Sequence, residues 1–391
     1  MRTIATVTVA RSDYSIYLPV LRKIETEADL KLYLIVAGMH LSPEFGSTVE
    51  VIEADGFEIN ERVEMLLSSD TPEGIAKSIG LGIIGFAQVY SRFRPDLLLV
   101  LGDRFEMHAA VLAALPFKIP VAHIHGGEIT EGAIDDALRH SITKLSHLHF
   151  TATEDARRRI VQMGEEPWRV IVSGAPSLDN LEGVRLLDRA ELEALVALRL
   201  DASPLLVTYH SVTLEYEQTE WQVRQLLGAL EQCDFPMVFT MPNADTNGRV
   251  IAALVREFAR RGSRAQMVNN LGTQGYFSLM AQAAAMVGNS SSGIIEAPSF
   301  GLPVVNIGTR QRGRTRGPNV IDVGYTCDEI LAGITQATSP GFRASLLGSP
   351  NPYGSGHASD VIVRHLKEVP LDDRLVRKRF LDFPAALSPV A

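Results

Sequence analysis

The chain has 391 residues, of which 46% are hydrophobic and 21% charged, and its formal net charge is −9. This composition is typical of a globular protein and excludes a disordered chain, and the length suggests two or three domains. The acidic balance provides no overall basic field, which argues against a nucleic-acid partner. The chain has two cysteines, Cys233 and Cys327, which excludes a disulfide framework and fits a reducing compartment.

The sequence predicts a protein without membrane contact. No apolar run approaches the roughly 18 residues needed to span a bilayer. Residues 1–10 are apolar but broken by threonines in the alternation of a strand, and no small-residue cleavage site follows. We therefore expect a buried first strand rather than a signal peptide, and a cytoplasmic location.

Short apolar runs alternate with helical stretches in the first half of the chain. The predicted strands are 3–10, 32–37, 96–101, 121–124, 147–151 and 170–172. The predicted helices are 15–27, 72–92, 105–115 and 135–145. Strands separated by helices predict right-handed crossovers and a parallel sheet.

The same pattern begins again after a joint near 175–200. The predicted strands are 204–208, 236–240, 265–268, 285–287 and 304–307, and the predicted helices are 218–230, 249–260, 276–284, 291–300 and 358–367. We therefore expect an α/β protein with two doubly wound halves. Because ligands of open α/β sheets bind outside the carboxyl ends of the strands, site residues should follow strand ends.

Residues 288–293, Gly-Asn-Ser-Ser-Ser-Gly, follow a predicted strand and open a predicted helix. Free N–H groups at a helix N-terminus bind anions, so Ser290 and Ser291 are candidates for a phosphate cradle. Because Ser and Asn also cap helices, a plain helix cap explains the same residue types. Glu296, on the second predicted turn, suits the two hydroxyls of a ribose better than a phosphate.

Charged residues follow three further strands. Residues 309–316 hold four arginines, which suit bidentate phosphate contacts, with a solvated basic loop as the alternative. Arg11 follows the first strand and either points into a cleft or forms a surface ion pair. Asp103 and Arg104 follow the very apolar run 97–101, where charges are costly unless they pair with each other or have a function.

The densest group of polar residues follows the strand at 121–124. Six of the ten histidines lie within 108–149, and a His-Ile-His-Gly-Gly-Glu segment precedes Asp135. Carboxylates and imidazoles gathered after a strand suit general acid–base chemistry. A metal site is the alternative, since His123 and His125 would share one face of a regular strand. No third ligand has a metal-site spacing, so we predict no metal.

Two residues of the second half also follow predicted strands. His210 ends the first strand of that half and would face the cleft from the opposite side, unless it is merely solvated. Asn243 follows the next strand and is a candidate hydrogen-bonding group, with a turn as the alternative.

Taken in order, these motifs resemble the hydrolysing UDP-N-acetylglucosamine 2-epimerases of bacterial sialic-acid and legionaminic-acid pathways. The matching motifs span nearly the whole chain, at 10–15, 102–104, 123–128, 135–144, 288–293, 308–311 and 351–354. The resemblance implies a glycosyltransferase-B-like architecture, with two Rossmann-like domains facing a cleft. It implies an N-terminal domain at 1–180, a UDP-binding domain at 181–357, and a last helix within 358–391 that packs back onto the first domain.

The resemblance also implies roles for individual residues. The residues assigned to UDP-sugar binding are Arg11, Ser15, Arg104, Asn243, Ser290, Ser291, Glu296 and Arg310. The residues assigned to catalysis are Asp103, His125, Glu128, Asp135 and His210. Relatives often carry Glu where this chain has His125, so either His125 or Glu128 takes the place of the usual second carboxylate.

The implied reaction converts UDP-N-acetylglucosamine and water into N-acetylmannosamine and UDP. UDP leaves carbon 1 as a proton leaves carbon 2, water adds to the resulting glycal, and a proton returns to carbon 2 from the opposite face. No redox cofactor is required because carbon 2 is never oxidised, and we expect no cofactor. The family resemblance further implies a homodimer or homotetramer.

Four alternatives remain at the level of sequence. The same reaction on UDP-2,4-diacetamido-2,4,6-trideoxyglucose is the nearest. A non-hydrolysing epimerase would return a UDP-sugar. A glycosyltransferase of the same fold would need an acceptor site but not the carboxylate–imidazole cluster, and a non-catalytic nucleotide-sugar sensor would have no use for Asp103 and Asp135.

Overall fold

The structure, a computed structural model, describes residues 1–242 and 245–382. The strands of the first half are β1 (Arg2–Thr8), β2 (Leu30–Ala37), β3 (Ile59–Val63), β4 (Leu97–Leu101), β5 (Val121–Ile124), β6 (Leu148–Thr151) and β7 (Val170–Val172). The strands of the second half are β8 (Leu205–Thr208), β9 (Met237–Thr240), β10 (Ala265–Val268), β11 (Ala285–Gly288), β12 (Val304–Ile307) and β13 (Val320–Val323).

Helices follow most of these strands. Those of the first half are α1 (Arg11–Thr26), α2 (Val49–Ala54), α3 (Pro72–Arg92), α4 (Phe105–Ala114), α5 (Asp135–Leu145) and α6 (Glu154–Gln162). Those that follow are α7 (Arg189–Val196), α8 (Thr219–Glu231), α9 (Gly248–Arg260), α10 (Gly272–Gln282), α11 (Ser292–Ile295), α12 (Cys327–Ala337), α13 (Pro340–Ser345), α14 (Ala358–Glu368) and α15 (Asp373–Val376).

The described residues form two parallel sheets with the same strand order. The first sheet runs β3-β2-β1-β4-β5-β6-β7 and the second runs β10-β9-β8-β11-β12-β13. In each sheet the chain moves outward in one direction and then restarts from the centre in the other. This confirms the predicted pair of doubly wound halves. It also creates a crevice between β1 and β4, and another between β8 and β11, which is where open α/β sheets bind ligands.

Each sheet is buried on both faces, as expected for parallel strands covered by helices. All five residues of β4 are buried. Leu98 and Val100 belong to a core cluster with Phe86 of α3, whereas Leu97 and Leu99 face the opposite core. This alternation holds the carboxyl end of β4, and the charged residues that follow it, in a fixed position.

The last helices return to the first half of the chain. Ile362 and Leu366 of α14 are fully buried in the same core cluster as Leu97. The buried Arg169 guanidinium donates to the backbone oxygen of Leu375 at 2.8 Å. On these contacts we propose that the chain divides near residue 180 and that the segment from 358 packs with the first domain. Residues 383–391 of that segment lie outside the described residues.

The structure differs from the sequence-based prediction in a few elements. The edge strands β3 and β13 were not predicted because their short, partly polar sequences are only partly buried. The predicted helix at 291–300 is instead the single turn α11 followed by a 3-10 turn, Ala297–Phe300. Pro298 lacks the N–H that would continue the α-helical pattern. In the described ranges no helix is long and apolar enough to cross a membrane.

Candidate active site

A cleft lies at the carboxyl ends of the strands of both sheets. Among the predicted site residues, those that line it are Arg11, Ser15, Asp103, Arg104, His125, Glu128, Asp135, His210, Ser290, Ser291, Glu296 and Arg310. Asn243 lies outside the described residues. The fold therefore brings together, from both halves, twelve side chains that are widely separated in sequence.

Each of the two central crevices supplies polar residues to the cleft. In the first half, Arg11 follows β1 and Asp103 follows β4. In the second half, His210 follows β8 and Ser290 follows β11. Because β1 and β4 are neighbours, as are β8 and β11, these four residues lie where the strand order reverses.

Arg310 provides a buried cation in the cleft. Only 8% of the residue is exposed, and its Nη1 donates to the backbone oxygen of Asn289 at 3.3 Å. Its Nε has no hydrogen-bond acceptor among the described residues. An unpaired buried donor is costly, so this atom is suited to bind an anionic ligand. Arg11 of the first half also lines the cleft.

Asn289 fixes the backbone of His210. The Asn289 Oδ1 accepts from the His210 N–H at 2.7 Å, and its Nδ2 donates to the His210 carbonyl at 2.8 Å. Burial lowers the pKa of the His210 imidazole well below its ordinary value, and the nearby Arg310 and Arg104 lower it further. The His210 ring is therefore neutral at physiological pH.

Glu296 is a buried carboxyl that faces the cleft from the second half. The Ser177 hydroxyl donates a hydrogen bond to its Oε1, and burial raises the pKa of the carboxyl above its ordinary value. Ser177 lies near the start of the predicted joint at 175–200, and it was not among the predicted site residues.

Asp103 and Arg104 are adjacent in sequence but belong to different ion pairs. Asp103 pairs with Arg139 of α5. Arg104 donates to both carboxylate oxygens of Glu106, at 3.1 and 3.0 Å, and lies 3.7 Å from a carboxylate oxygen of Asp245. The alternative that Asp103 and Arg104 pair with each other is therefore wrong.

Asp135 and Asp136, at the start of α5, lie in different environments. Burial raises the pKa of Asp135, and Asp245 adds to this rise, against Arg310 and Arg104. The pKa of Asp136 is lowered: burial would raise it, but hydrogen bonds from His140 and from the Thr130 N–H outweigh burial. Of these two carboxyls, Asp135 lines the cleft, and a raised pKa suits a general acid.

His125 has a backbone conformation that is rare for a residue with a side chain. Its φ is +62°, so the strand geometry ends before it. Gly126 follows where a Cβ would lie 2.9 Å from the ring of His123. The turn places His125 Nδ1 2.5 Å from Glu128 Oε1, and its Nε2 has no hydrogen-bond partner within the described residues. Backbone strain of this kind is concentrated at active sites, and His125 lines the cleft.

The metal alternative finds no support in the described part of the chain. The ring of His123 is already engaged, with Nε2 2.7 Å from the Gly102 carbonyl and Nδ1 3.2 Å from the Thr143 hydroxyl. The described residues contain no group of three or more His, Cys, Asp or Glu side chains that could hold a metal ion.

Several cleft residues were missed by sequence reasoning. Each of these missed residues pairs with, or lies beside, a predicted residue. The missed residues are Asp13, Arg139, Ser177, Tyr276 and Arg314. Three of them lie in segments that the sequence had singled out, namely 10–15, 135–144 and the arginine-rich loop. What the sequence lacked was a signal for which member of each segment faces the cleft.

Comparison with known proteins places this cleft in a family. The family model described as UDP-N-acetylglucosamine 2-epimerase matches residues 22–367. A GDP/UDP-N,N'-diacetylbacillosamine 2-epimerase (hydrolyzing) of Campylobacter jejuni is 37% identical over 384 residues, covering 97% of this chain and 99% of the relative. A UDP-N,N'-diacetylbacillosamine 2-epimerase (hydrolyzing) of Legionella pneumophila is also 37% identical, over 379 residues, with the same coverage.

A solved structure shows the same architecture. The UDP-GlcNAc 2-epimerase of Neisseria meningitidis, bound to UDP-GlcNAc, has a TM-score of 0.78 and 22% identity, covering 93% of this chain and 99% of the other. At that identity the likeness concerns the fold alone, and it confirms the predicted glycosyltransferase-B-like arrangement. From the match of its sequence over nearly its whole length, the chain belongs to the UDP-N-acetylglucosamine 2-epimerase family.

Proposed function

We propose that this protein is a hydrolysing UDP-sugar 2-epimerase, which releases UDP and inverts carbon 2 of the sugar. The observation that carries the proposal is the meeting, in one cleft, of the buried Arg310, whose Nε has no acceptor among the described residues, with a carboxylate–imidazole cluster. The cation suits a diphosphate, and the cluster suits proton transfer at carbon. A sensor that only binds nucleotide sugars has no need of the second group.

Two substrates are proposed, in order. UDP-2,4-diacetamido-2,4,6-trideoxyglucose, which is UDP-N,N'-diacetylbacillosamine, comes first because both relatives at 37% identity carry that sugar in their names. UDP-N-acetylglucosamine comes second, on the family description. Both sugars have an acetamido group at carbon 2, and they differ at carbons 4 and 6.

Departure of UDP is the step that the cations assist. The proton on carbon 2 is not next to a carbonyl, so the bond between carbon 1 and the diphosphate oxygen must break early, and negative charge then develops on the diphosphate. Arg11 and Arg310 stabilise that charge, with the N–H groups and hydroxyls of Ser290 and Ser291 beside them. Glu296 accepts hydrogen bonds from the ribose hydroxyls.

Proton transfer is assigned to three groups in the cleft. Asp103, which lines the cleft and is held there by its ion pair with Arg139, accepts the carbon-2 proton as UDP leaves. Asp135, whose pKa burial raises, donates a proton to carbon 2 of the glycal from the opposite face. His125 accepts a proton from the water that adds to carbon 1. Glu128 already contacts His125 and Arg314. We therefore propose that His125, and not Glu128, takes the place of the second carboxylate that relatives often carry.

The test is product analysis in deuterated water. The protein is incubated with each UDP-sugar and with the GDP form of the diacetamido sugar, and the products are identified by NMR. We expect free sugar with inverted carbon 2, deuterium at that carbon, and UDP. Hydrogen retained at carbon 2 would exclude elimination and re-addition, and a UDP-sugar product would indicate a non-hydrolysing epimerase.

We also propose a cytoplasmic homodimer or homotetramer. Both cysteines are free thiols, which fits a reducing compartment. Leu81 and Ile84 of α3 are 42% and 60% exposed, and apolar side chains at that spacing form a stripe suited to a subunit contact.

A further inference from the structure

We propose that Arg314 is a positioning residue: it reaches from the second half of the chain to Glu128 and thereby fixes the orientation of His125 in the cleft. The inference rests on the proposed function for its catalytic consequence. The contacts among Arg314, Glu128 and His125 do not depend on that function and are open to a separate test.

The Glu128 carboxylate bridges a cation and an imidazole. Its Oε2 lies 3.0 Å from Arg314 Nη1, and its Oε1 lies 2.5 Å from His125 Nδ1. The side chains of Arg314 and Glu128 are only 8% and 5% exposed. The contact with Arg314 is an ion pair without a hydrogen bond, since Nε and Nη1 of Arg314 have no acceptor among the described residues. Because both of its oxygens contact neighbouring groups, Glu128 is suited to hold those groups rather than to accept a proton from substrate.

The charge of Glu128 decides which ring nitrogen of His125 carries the proton. Burial alone would raise the pKa of the Glu128 carboxyl, but Arg314 and His125 outweigh burial and lower that pKa. An ionised carboxylate only accepts hydrogen bonds, so Nδ1 of His125 carries the proton. In the neutral ring, Nε2 is then the nitrogen with the free lone pair, and no described residue shares a hydrogen bond with that atom.

The loop that carries Arg314 packs closely against the loop at residues 129–131 of the first half. The Glu131 N–H donates to the backbone oxygen of Arg312 at 3.3 Å. Between Arg312 and Arg314 lies Gly313, with φ +84°, where a Cβ would come within 2.4 Å of Ile129 Cγ2. Glycine at this position therefore lets the two loops meet, and Arg314 reaches Glu128 as a result.

Other charged groups near Glu128 do not replace Arg314. Arg139 donates to the backbone oxygen of Glu128 at 3.0 Å, while its own ion pairs are with Asp103 and Asp136. His123 and Tyr353 also lie near Glu128. Among the described residues, the ion pairs of the Glu128 carboxylate are those with Arg314 and His125.

The first experiment separates positioning from binding. Arg314→Met, Arg314→Lys and the control Arg312→Met, at an exposed position in the same loop, are compared for kcat and for UDP affinity by calorimetry. We expect Arg314→Met to lower kcat by about tenfold to a hundredfold, the usual effect of losing a group that orients a functional histidine. UDP affinity should stay nearly unchanged, and Arg314→Lys should restore part of the rate. A loss of UDP affinity as large as that of Arg310→Ala would assign Arg314 to the diphosphate and overturn the proposal.

The second experiment asks whether Arg314 acts through Glu128. In a double-mutant cycle, Arg314→Met combined with Glu128→Gln should lower kcat no further than the more damaging single change. Gly313→Ala should reproduce the loss without removing any charge, because the added Cβ moves the loop away from Ile129. Fully additive losses in the cycle would mean that the two residues act independently.

The third measurement does not depend on turnover. Nitrogen-15 NMR of labelled histidines reports the tautomer of each ring, and the His125 signals are assigned by their loss in His125→Gln. We expect the Nδ1–H tautomer in the unmodified protein and in Arg312→Met, and a shifted tautomer population in Arg314→Met. An unchanged tautomer would overturn the proposal. If the unmodified protein releases UDP from no UDP-sugar, the proposed function fails, while this measurement still decides the role of Arg314.

Discussion

Asp103, which follows β4, forms its ion pair with Arg139 of α5 and not with its neighbour Arg104. Arg139 is 1% exposed, whereas the Asp103 side chain is 21% exposed and lines the cleft. The buried guanidinium therefore holds the Asp103 carboxylate in place at the wall of the cleft. Arg104 is balanced separately by Glu106, so Asp103 need not neutralise it.

Asp103→Asn should abolish proton acceptance while keeping the size of the side chain. We expect turnover to fall by about a hundredfold to ten-thousandfold, the usual contribution of a general base. UDP affinity should be nearly unchanged, because Asp103 acts on the sugar. Single-turnover rates beside calorimetric titration of UDP measure the two effects.

The matched control for this change is Asp328→Asn, at an exposed position on α12, which should keep the full rate. Asp135→Asn should behave like Asp103→Asn. If Asp103→Asn lost UDP affinity as severely as Arg310→Ala, Asp103 would be a structural partner of Arg139 and its catalytic assignment would be wrong.

Arg310→Ala should affect both binding and chemistry. The change removes a charge-assisted contact to phosphate, worth roughly 1.5–3 kcal/mol. Because UDP is also the leaving group, turnover should slow as well. Calorimetry with UDP and single-turnover rates test this, with Arg312→Ala as a control from the same loop. Unchanged UDP affinity in Arg310→Ala would place the diphosphate elsewhere in the cleft.

Sequence reasoning located the site because chain position and sheet position are linked in this fold. The apolar run of β4 marks a buried strand, so the charged residues after it must lie at a sheet edge where ligands bind. The same logic placed Arg11, His210 and Ser290 in the cleft. The predicted bounds of α3 and α5 agree with the structure.

Contacts between the two halves could not be predicted in this way. Arg314 and Glu128 are separated by nearly half the chain, and one sequence carries no signal that pairs them. The four arginines of the loop look alike in sequence, and only their depth in the cleft separates Arg310 and Arg314 from the exposed Arg312. The φ of His125 was hidden for a similar reason, since a histidine does not signal a left-handed backbone as glycine does.

Removal of metal ions should leave the enzyme fully active. The proposed chemistry uses arginines rather than a divalent cation to stabilise the diphosphate, and the described residues offer no cluster of metal ligands. Activity is measured after exhaustive treatment with EDTA and again after adding magnesium, manganese or zinc. A loss on treatment that a divalent ion restores would contradict the prediction.

The exposed apolar side chains of α3 should hold subunits together. Light scattering is expected to give the mass of a dimer or tetramer, and Ile84→Glu should shift the protein toward the monomer, since a buried unpaired charge is costly. Leu347→Glu, at a position that is 84% exposed on another part of the surface, serves as the control. The monomer mass at all micromolar concentrations would count against the assembly.

Asp13 should make stability depend on pH in a direction opposite to that of most acidic residues. Burial raises the pKa of its carboxyl from 3.8 to about 7, against the influence of Arg104, so the folded state binds this proton more tightly than the unfolded chain does. The resulting stabilisation is fully present below about pH 4 and is lost as pH rises through about 7. At about 1.4 kcal/mol for each pKa unit, the loss approaches roughly 4 kcal/mol.

Asp13→Asn removes this titration. The stability of the variant relative to the unmodified protein should therefore increase as pH rises. We expect the difference between their thermal unfolding midpoints, variant minus unmodified, to increase from pH 5 to pH 8. Above about pH 8 the difference should level off, because the folded-state carboxyl is then fully ionised. Asp328→Asn provides the comparison, since an exposed carboxylate should give a difference that is flat over the same range. A flat difference for Asp13→Asn as well would show that this carboxyl ionises in the folded protein near its ordinary pKa.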